Sequence, residues 1–293
     1  MSDRRDFLKL MFGGAVAAAT APMAGAEQRD SSSSGSVKPS LRIVHIGDPQ
    51  FGFCDSNWPE RSGDRFTENY ALDLANFEKV MRALDKVDCD LVLVSGDMTQ
   101  KSKDVTKEWP ELMKRFKVPV VVTPGNHDMG SKVRKENLER FNSVFGRDYR
   151  AFDIKGWRII AGNTQYWHDT EDAEEERSTY KDWALSELSN AAKYDGKVVL
   201  MGHIPPFAYR FNEGSNHENY PLDGRKERLE MYLKAGARFY LSGHMHRLCV
   251  RGYRDLTVLS AEATCFNYDC RPLGFRLFEV FDDFSYSWNF VKV

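Results

Sequence analysis

The chain has 293 residues, of which 42% are hydrophobic and 29% are charged. This composition is typical of a globular protein with one large domain or two small ones. The formal net charge is −2, and Lys and Arg form no block along the sequence. Because duplex-binding proteins need a concentrated basic surface, we expect no nucleic-acid partner.

The first 26 residues have the pattern of an export signal. The pair Arg4-Arg5 is followed by Phe7-Leu8-Lys9 and by a weakly apolar stretch that ends in Ala24-Gly25-Ala26. A charged start, an apolar segment too short to span a bilayer and a small-x-small site predict cleavage after Ala26. The paired arginines resemble a twin-arginine signal, the alternative being a disordered basic tail. We therefore predict a periplasmic or secreted protein, the twin-arginine export machinery as a partner, and no stable membrane insertion after cleavage.

A Ser-rich linker and a single mature domain are predicted to follow the signal. Residues 27–40 contain a run of four serines together with Gly and Pro, which is the composition of a flexible tether. The predicted domain covers residues 41–293, since no later composition shift marks a boundary.

Five short apolar runs, rich in β-branched residues, each end at a motif that contains Gly. The runs predict buried strands over 41–46, 91–95, 118–123, 198–201 and 239–242. The motifs are Gly47-Asp48-Pro49-Gln50, Gly96-Asp97, Gly125-Asn126-His127-Asp128, Gly202-His203 and Gly243-His244-Met245-His246. Because α/β sheets bind ligands beyond the carboxyl ends of their strands, these polar side chains are predicted to meet at one site.

The intervening segments predict an α/β fold with two sheets. Helical patterns cover 67–86, 104–116, 132–145, 180–194 and 225–235, with Pro110 expected to break the second, and the acidic stretch 169–176 is predicted to be a solvated loop. Further strands are predicted over 149–154, 157–161, 249–253, 257–260, 275–281 and 285–291. The alternating part fits a parallel sheet with covering helices, and the turn-linked strands fit a second, largely antiparallel or mixed sheet. The predicted fold is a four-layer αββα sandwich of two mixed β-sheets flanked by helices.

No two cysteines have the C-x-x-C spacing, so the sequence argues against a zinc ribbon. The cysteines are Cys54, Cys89, Cys249, Cys265 and Cys270. Cys265 and Cys270 are nearest in sequence, but the sequence does not choose a pairing, and we expect most of the five to be small buried hydrophobic residues.

The donor types at the strand ends indicate transition metals. Carboxylates, carboxamide oxygens and imidazoles together suit first-row metals better than calcium. The motifs resemble those of the calcineurin-like metallophosphoesterase superfamily: Asp-x-His, Gly-Asp, Gly-Asn-His-Asp or Glu, Gly-His and Gly-His-x-His. One departure is Gln50, which stands at the His of Asp-x-His.

The departure itself is informative. Gly-Asp-Pro-Gln-Phe-Gly, residues 47–52, together with residues 203–207 and 242–247, is similar to the branch named calcineurin-like phosphoesterase domain-containing protein 1. Members of that branch are described as serine/threonine phosphatases.

The resemblance implies two metal ions, which would be iron, manganese or zinc. The first site would comprise Asp48, Gln50, Asp97 and His246, and the second Asp97, Asn126, His203 and His244. We expect the first site to be the more labile because an amide is a weaker ligand than an imidazole. Gln100 stands where purple acid phosphatases have a tyrosinate, so no iron-tyrosinate colour is expected.

The resemblance also implies a mechanism. A metal-activated water would attack phosphorus. His127 would protonate the leaving alkoxide or stabilise the transition state, and Asp128 would orient the His127 ring.

Three further residues are candidate substrate contacts. They are Arg247, which follows the last ligand, His217 in a polar loop, and Phe207 among the loop aromatics; the alternatives are a surface Arg, an ordinary loop residue and a packing residue. His45 and His168 are interpreted as structural.

Three functions are considered. The first is a dinuclear-metal phosphomonoesterase acting on a phosphoprotein or a small phosphate ester. The second is a phosphodiesterase acting on cyclic nucleotides or glycerophosphodiesters. The third is a weakly catalytic metal-binding module retained for protein interaction, which the intact ligand set and His127 disfavour.

Overall fold

The computed structural model describes residue 28 and residues 37–53 and 66–293. The predicted signal, most of the predicted linker and Cys54 lie outside the described residues. Within the described ranges, no helix has both the length and the apolar character needed to cross a membrane.

Strands and helices alternate along most of the described chain. The strands are β1 (Leu41–Ile46), β2 (Leu91–Val94), β3 (Val120–Val122), β4 (Arg150–Ile154), β5 (Trp157–Ala161), β6 (Val198–Met201), β7 (Ala237–Ser242), β8 (Cys249–Tyr253), β9 (Leu256–Ser260), β10 (Gly274–Val280) and β11 (Tyr286–Lys292). The α-helices are α1 (Phe66–Leu84), α2 (Trp109–Met113), α3 (Asn126–Met129), α4 (Lys135–Phe145), α5 (Glu174–Ala191) and α6 (Arg225–Lys234). Short 3₁₀ helices cover Ser102–Thr106, Thr164–Trp167 and Ala192–Tyr194.

The strands form two mixed sheets. One has the order β11-β10-β1-β2-β3, in which β1, β2 and β3 are parallel and β10 runs antiparallel to β1. The other has the order β4-β5-β6-β7-β9-β8, with parallel strands inside and antiparallel edges. The predicted fold class is confirmed, but the strand partition differs from the prediction. Strands β6 and β7 belong to the second sheet, and β10 and β11 complete the first.

Both sheets are covered on both faces. In β1, Leu41 and Ile43 pack into the core between the sheets, whereas Val44 and Ile46 pack against helices on the outer face. All four side chains are fully buried, as expected of strands whose residues alternate between two apolar layers. A third apolar cluster packs α5 and α6 against the second sheet. The layers are therefore helix, sheet, sheet and helix.

Two predicted helices have different bounds for identifiable reasons. Pro110 lies in the first turn of α2, where a missing N–H removes no hydrogen bond, so it begins that helix rather than breaking one. The acidic stretch 169–176 is only partly a loop, because Glu174–Glu176 form the first turn of α5. Carboxylates are stabilised there by the exposed N–H groups of the helix.

The cysteines divide between the interior and the surface. Cys249 and Cys265 are buried, Cys89 is half-buried and Cys270 is exposed. Cys270 carries a free thiol, so the structure does not contain the Cys265–Cys270 disulfide that the sequence left open.

Candidate metal centre

The two sheets contribute different donor types to one site. The ends of β1, β2 and β3 carry oxygen donors, while the ends of β6 and β7 carry imidazoles. The oxygen donors are Asp48, Gln50, Asp97 and Asn126, and the imidazoles are His203, His244 and His246. The site therefore lies on the seam between the sheets.

Most of these residues have a left-handed backbone conformation, with positive φ. Positive φ angles occur at Asp48 (39°), Gln50 (38°), Asp97 (51°), His244 (67°) and His246 (46°). Non-glycine residues rarely adopt this conformation, and its cost must be offset by the surrounding contacts. The turn at each strand end lets Asp48 and Gln50, and likewise His244 and His246, approach the same site instead of alternating across a sheet.

Glycines next to the ligands allow backbones to approach closely. A Cβ atom at Gly125 would lie 2.0 Å from Asp97 Oδ1, and one at Gly243 would lie 2.6 Å from Asp48 Oδ2. Only a residue without a side chain fits at these two points. The repeated Gly in the strand-end motifs is thus explained by contact between the ligand loops.

Four of the candidate ligands lie around a common point. His203 Nε2 is 3.3 Å from Asp97 Oδ2, 3.1 Å from Asn126 Oδ1 and 3.1 Å from His244 Nδ1. One donor atom each from Asp97, His203 and His244 lies within 4.8 Å of the other two. These four residues are the set expected for the second metal site.

Backbone carbonyls fix which nitrogen of each imidazole faces the centre. His203 Nδ1 is 2.7 Å from Ser95 O, His244 Nε2 is 2.7 Å from His217 O, and His246 Nδ1 is 2.8 Å from Phe266 O. Since a carbonyl can only accept, each of these nitrogens carries the hydrogen. In the neutral rings the lone pairs are therefore on His203 Nε2, His244 Nδ1 and His246 Nε2, which is how metal-binding histidines are commonly oriented.

Gln50 has the contacts expected of a ligand in the first site. Its side chain is 1% exposed, and its Nε2 donates to Gln100 Oε1 at 2.9 Å. Its Oε1 is buried and has no hydrogen-bond partner in the structure. An unsatisfied buried oxygen is costly, and a cation would satisfy it. Asp48 Oδ1 and His246 Nε2, 3.6 Å apart, lie in the same first-site set.

The electrostatics of the site also favour cations. Burial raises the pKa of Asp48 to about 8, and burial together with the charge of Asp97 raises the pKa of Asp128 to about 7. Burial would also raise the pKa of Asp97, but His203 and His127 outweigh it and hold that pKa below its usual range. Burial would lower the pKa of His203, but Asp97 raises it to about 9. The described site therefore places three buried carboxyl groups around one readily protonated imidazole.

The other two imidazoles stay neutral. Burial lowers the pKa of His244 to about 3 and that of His246 to about 4. Neutral imidazole is the form that binds a metal ion, so these two rings need lose no proton to act as ligands.

Asp128 has a different role from the one predicted. Its carboxylate accepts hydrogen bonds from the backbone N–H groups of Gly125 at 2.8 Å and Met98 at 2.9 Å. The His127 ring instead contacts Gln100 O through Nδ1 at 3.3 Å. The prediction that Asp128 orients this ring is wrong, because the tight turn directs the carboxylate toward the backbone. Asp128 braces the ligand loops.

The three candidate substrate contacts have different surroundings. Phe207 is 2% exposed and packs in the outer core of the second sheet, so its prediction as a substrate contact is wrong. His217 lies on an open groove beside the site, and its carbonyl holds His244. The Arg247 guanidinium bonds Glu218 at 3.1 Å and the Tyr209 hydroxyl at 2.5 Å.

The two histidines interpreted as structural also differ. His45 is buried within β1, with Nε2 at 3.0 Å from Ser95 Oγ. His168 is half-buried and lines the groove beside the site.

A positioning residue escaped the sequence analysis. Arg225 is fully buried and donates to the carbonyls of Phe211 at 3.1 Å, Glu213 at 2.6 Å and Tyr220 at 3.1 Å. It thereby orders the loop that presents His217 O to His244. Nothing in the sequence separates Arg225 from an exposed arginine, since its acceptors are backbone atoms.

Two mixed sheets with a ligand cluster at their adjoining strand ends define the class of metallophosphatase-fold hydrolases. The chain belongs to the calcineurin-like phosphoesterase family, whose profile matches residues 41–248. It is thus a metal-dependent phosphoric ester hydrolase, and the predicted family is confirmed.

Known proteins support this assignment. The serine/threonine-protein phosphatase CPPED1 of Rattus norvegicus is 25% identical over 232 residues, which cover 75% of this chain and 74% of the relative. A probable cyclic nucleotide phosphodiesterase of Fibrobacter succinogenes is 31% identical over 177 residues, 57% of each protein. The structure of a dimetal phosphatase from Danio rerio matches with a TM-score of 0.51 and 11% identity, covering 84% of this chain and 94% of that one.

Proposed function

We propose that the protein is a phosphomonoesterase with two metal ions, acting on a phosphoprotein or a small phosphate ester. The observation that carries the proposal is that three imidazoles present their second ring nitrogen to the centre while Gln50 Oε1 is buried and unsatisfied. Asp48, Gln50, Asp97 and His246 would hold one ion, and Asp97, Asn126, His203 and His244 the other. Iron, manganese and zinc suit these donors.

Asp97 is suited to bridge the two sites. Its Oδ1 accepts the His127 N–H at 2.8 Å, and its Oδ2 faces His203 Nε2 at 3.3 Å. Asp48 is fixed in turn by the His244 N–H, at 3.0 Å and 2.9 Å from its two oxygens. These contacts orient both carboxylates before any ion binds.

Bound metal ions would neutralise phosphoryl charge and lower the pKa of a water toward about 7. His127 is the residue of this chain that would move a proton. Its Nδ1 is directed at Gln100 O, so Nε2 of the imidazolium form is the atom that would donate to the leaving alkoxide, and the ring would become neutral in that step.

Hydrolysis of paired model substrates tests this function. We expect purified protein loaded with Mn²⁺ or Zn²⁺ to cleave p-nitrophenyl phosphate faster than bis-p-nitrophenyl phosphate, and a chelator to abolish both reactions. A preference for the diester would support the phosphodiesterase alternative, which the Fibrobacter succinogenes relative suggests. Metal binding without turnover of either ester would support an interaction module.

Two variants separate metal binding from proton transfer. His127→Ala should keep its metal and lose about 100-fold or more in kcat on an ester with a poor leaving group. Asp97→Ala should lose both metals, whereas Asp255→Ala, at an exposed position between β8 and β9, is the matched control. Full activity of His127→Ala on a poor leaving group would remove His127 from the mechanism.

We also propose export by the twin-arginine route, which the Arg4-Arg5 pattern supports. N-terminal sequencing of exported protein should then begin at Glu27. Intact Met1 in a cytoplasmic fraction would contradict the proposal.

A further inference from the structure

A groove of about 840 Å³ opens directly beside the candidate metal centre. One wall is the segment from Gln100 to Lys103, and the other is the region from Arg134 to Arg140 around the start of α4. His127 and His244 also line the groove. The volume falls within the range of about 300–1,000 Å³ that is usual for small-molecule sites.

Most residues that line the groove have polar side chains. Amide and hydroxyl side chains such as Ser102, Ser131 and Gln165 occur beside charged ones, and Ile204 is the single aliphatic side chain among the described lining residues. Hydroxyl groups of a ligand would find hydrogen-bonding partners along this lining.

Two of the cationic groups on the groove have no carboxylate partner among residues 37–53 and 66–293. Arg134 bonds Glu171 at 2.7 Å, and Arg140 is paired with Glu136. Lys101 and Lys103 are both exposed and form no ion pair within those ranges. The groove thus carries two exposed ammonium groups that are unpaired in the part of the chain that the structure describes.

The position of these lysines links them to the reaction centre. Gln100 immediately precedes Lys101. Its side-chain Oε1 accepts a hydrogen bond from Gln50 Nε2 at 2.9 Å, and its carbonyl accepts one from His127 Nδ1 at 3.3 Å. Lys101 therefore directly follows a residue that contacts both Gln50 and His127, and it lines the same groove as His127 and His244. An ester whose phosphate lies at the centre would have this groove for its organic part.

We propose that Lys101 and Lys103 bind a second anionic group, a phosphate or a carboxylate, on a small phosphate ester. This inference rests on the proposed phosphomonoesterase function and narrows it to polyhydroxylated substrates with two acidic ends. The lysines act as specificity-determining residues, since ammonium groups with three donors each bind either kind of anion.

Matched pairs of sugar phosphates test the proposal. 6-Phosphogluconate has one scissile phosphate, like glucose 6-phosphate, and adds a carboxylate at the far end. Fructose 1,6-bisphosphate and fructose 6-phosphate form a second pair, in which rates are counted per scissile phosphate because the bisphosphate has two. We expect kcat/KM to be about tenfold higher for the doubly anionic member of each pair, a difference carried mainly by KM. Added NaCl at about 0.5 M should reduce that ratio, because salt screens exposed charges.

Variants locate the effect. In Lys101→Gln/Lys103→Gln the ratio within each pair should fall about tenfold. Lys107→Gln is the control from the same segment, because Lys107 pairs with Asp104 at 3.0 Å and lies over the Tyr70 ring instead of lining the groove. The ratio should stay at the wild-type value in this control.

The outcomes separate the two proposals. If p-nitrophenyl phosphate is hydrolysed but the ratios are near one, or are unchanged in the double variant, the groove proposal is wrong and the phosphomonoesterase function stands. If a phosphopeptide exceeds every sugar phosphate in kcat/KM, the proposed small-molecule class is overturned. If metal-loaded protein hydrolyses no phosphomonoester, the proposed function itself fails.

Discussion

Replacing Gly125 by Ala adds one methyl group at the most crowded point of the metal centre. The new Cβ atom would lie 2.0 Å from Asp97 Oδ1 and 2.4 Å from Asp97 N. Ordinary contacts begin near 3.4 Å, so the loops would have to separate by at least 3.4 − 2.0 = 1.4 Å. The backbone of Gly125, with φ −103° and ψ −177°, is acceptable for alanine, so the whole perturbation acts through Asp97.

The magnitude follows from that displacement. Overpacking of this kind costs about 1–3 kcal/mol in the free energy of unfolding. A shift of about 1 Å in a reacting group can lower the rate about 100-fold. We therefore expect Gly125→Ala to fold with a melting temperature reduced by about 2–12 °C, using about 2–4 °C per kcal/mol for a domain of this size. The variant should bind little metal and lose at least about 100-fold in kcat/KM.

The assay combines elemental analysis, thermal unfolding and p-nitrophenyl phosphate kinetics. Gly214→Ala is the matched control, because a Cβ atom there meets nothing within 4 Å. Its stability should stay within about 0.5 kcal/mol of the wild type. Wild-type metal content and kcat/KM in Gly125→Ala would refute the argument that close approach of the loops builds the site.

Three more predictions concern the candidate ligands and the residues that support them. Gln50→His replaces an amide oxygen by an imidazole, which is a stronger ligand. A competing chelator should therefore remove the ion of the proposed first site about tenfold more slowly than in the wild type. An unchanged rate would argue against Gln50 as a ligand. Metal loading at pH 7 should release protons, because burial raises the pKa of Asp48 and, against the effect of burial, the charge of Asp97 raises the pKa of His203. Metal affinity should therefore fall as the pH is lowered. Calorimetry in buffers of different ionisation enthalpy measures the release, and its absence would show that the site was already deprotonated. Arg225→Lys leaves backbone carbonyls without a hydrogen-bond donor, so it should lower the free energy of unfolding by about 1–3 kcal/mol. It should also speed proteolysis within residues 208–222. Normal protection of that loop would show that Arg225 does not order it.

Much of the fold is encoded locally and is visible in the sequence. The strands β1 and β6 have the predicted bounds, because apolar, β-branched runs ended by Gly leave few alternatives. The assignment of strands to sheets was not visible, since the pairing of β10 with β1 joins residues far apart in the chain.

A candidate ligand set could be read from the motifs, whereas its supports could not. Motif order singles out Gln50 and the histidines; the structure places His203 Nε2 3.1 Å from His244 Nδ1 and leaves Gln50 Oε1 buried without a hydrogen-bond partner. Asp128 and Phe207 adjoin motif residues in sequence, yet one faces backbone amides and the other packs in the core. Which way a side chain points from a tight turn depends on the turn geometry, and the residue type alone does not fix it.

The division of candidate donors between the two sheets determines at which stage of folding metal can bind. The first sheet alone presents only carboxylate and amide oxygens, and the second alone only imidazoles. Neither half has the mixed donor set, so strong binding requires the sheets to have docked. Metal uptake during refolding should therefore lag behind the formation of either sheet. A signal that reports metal binding during refolding would therefore measure the rate at which the two sheets dock.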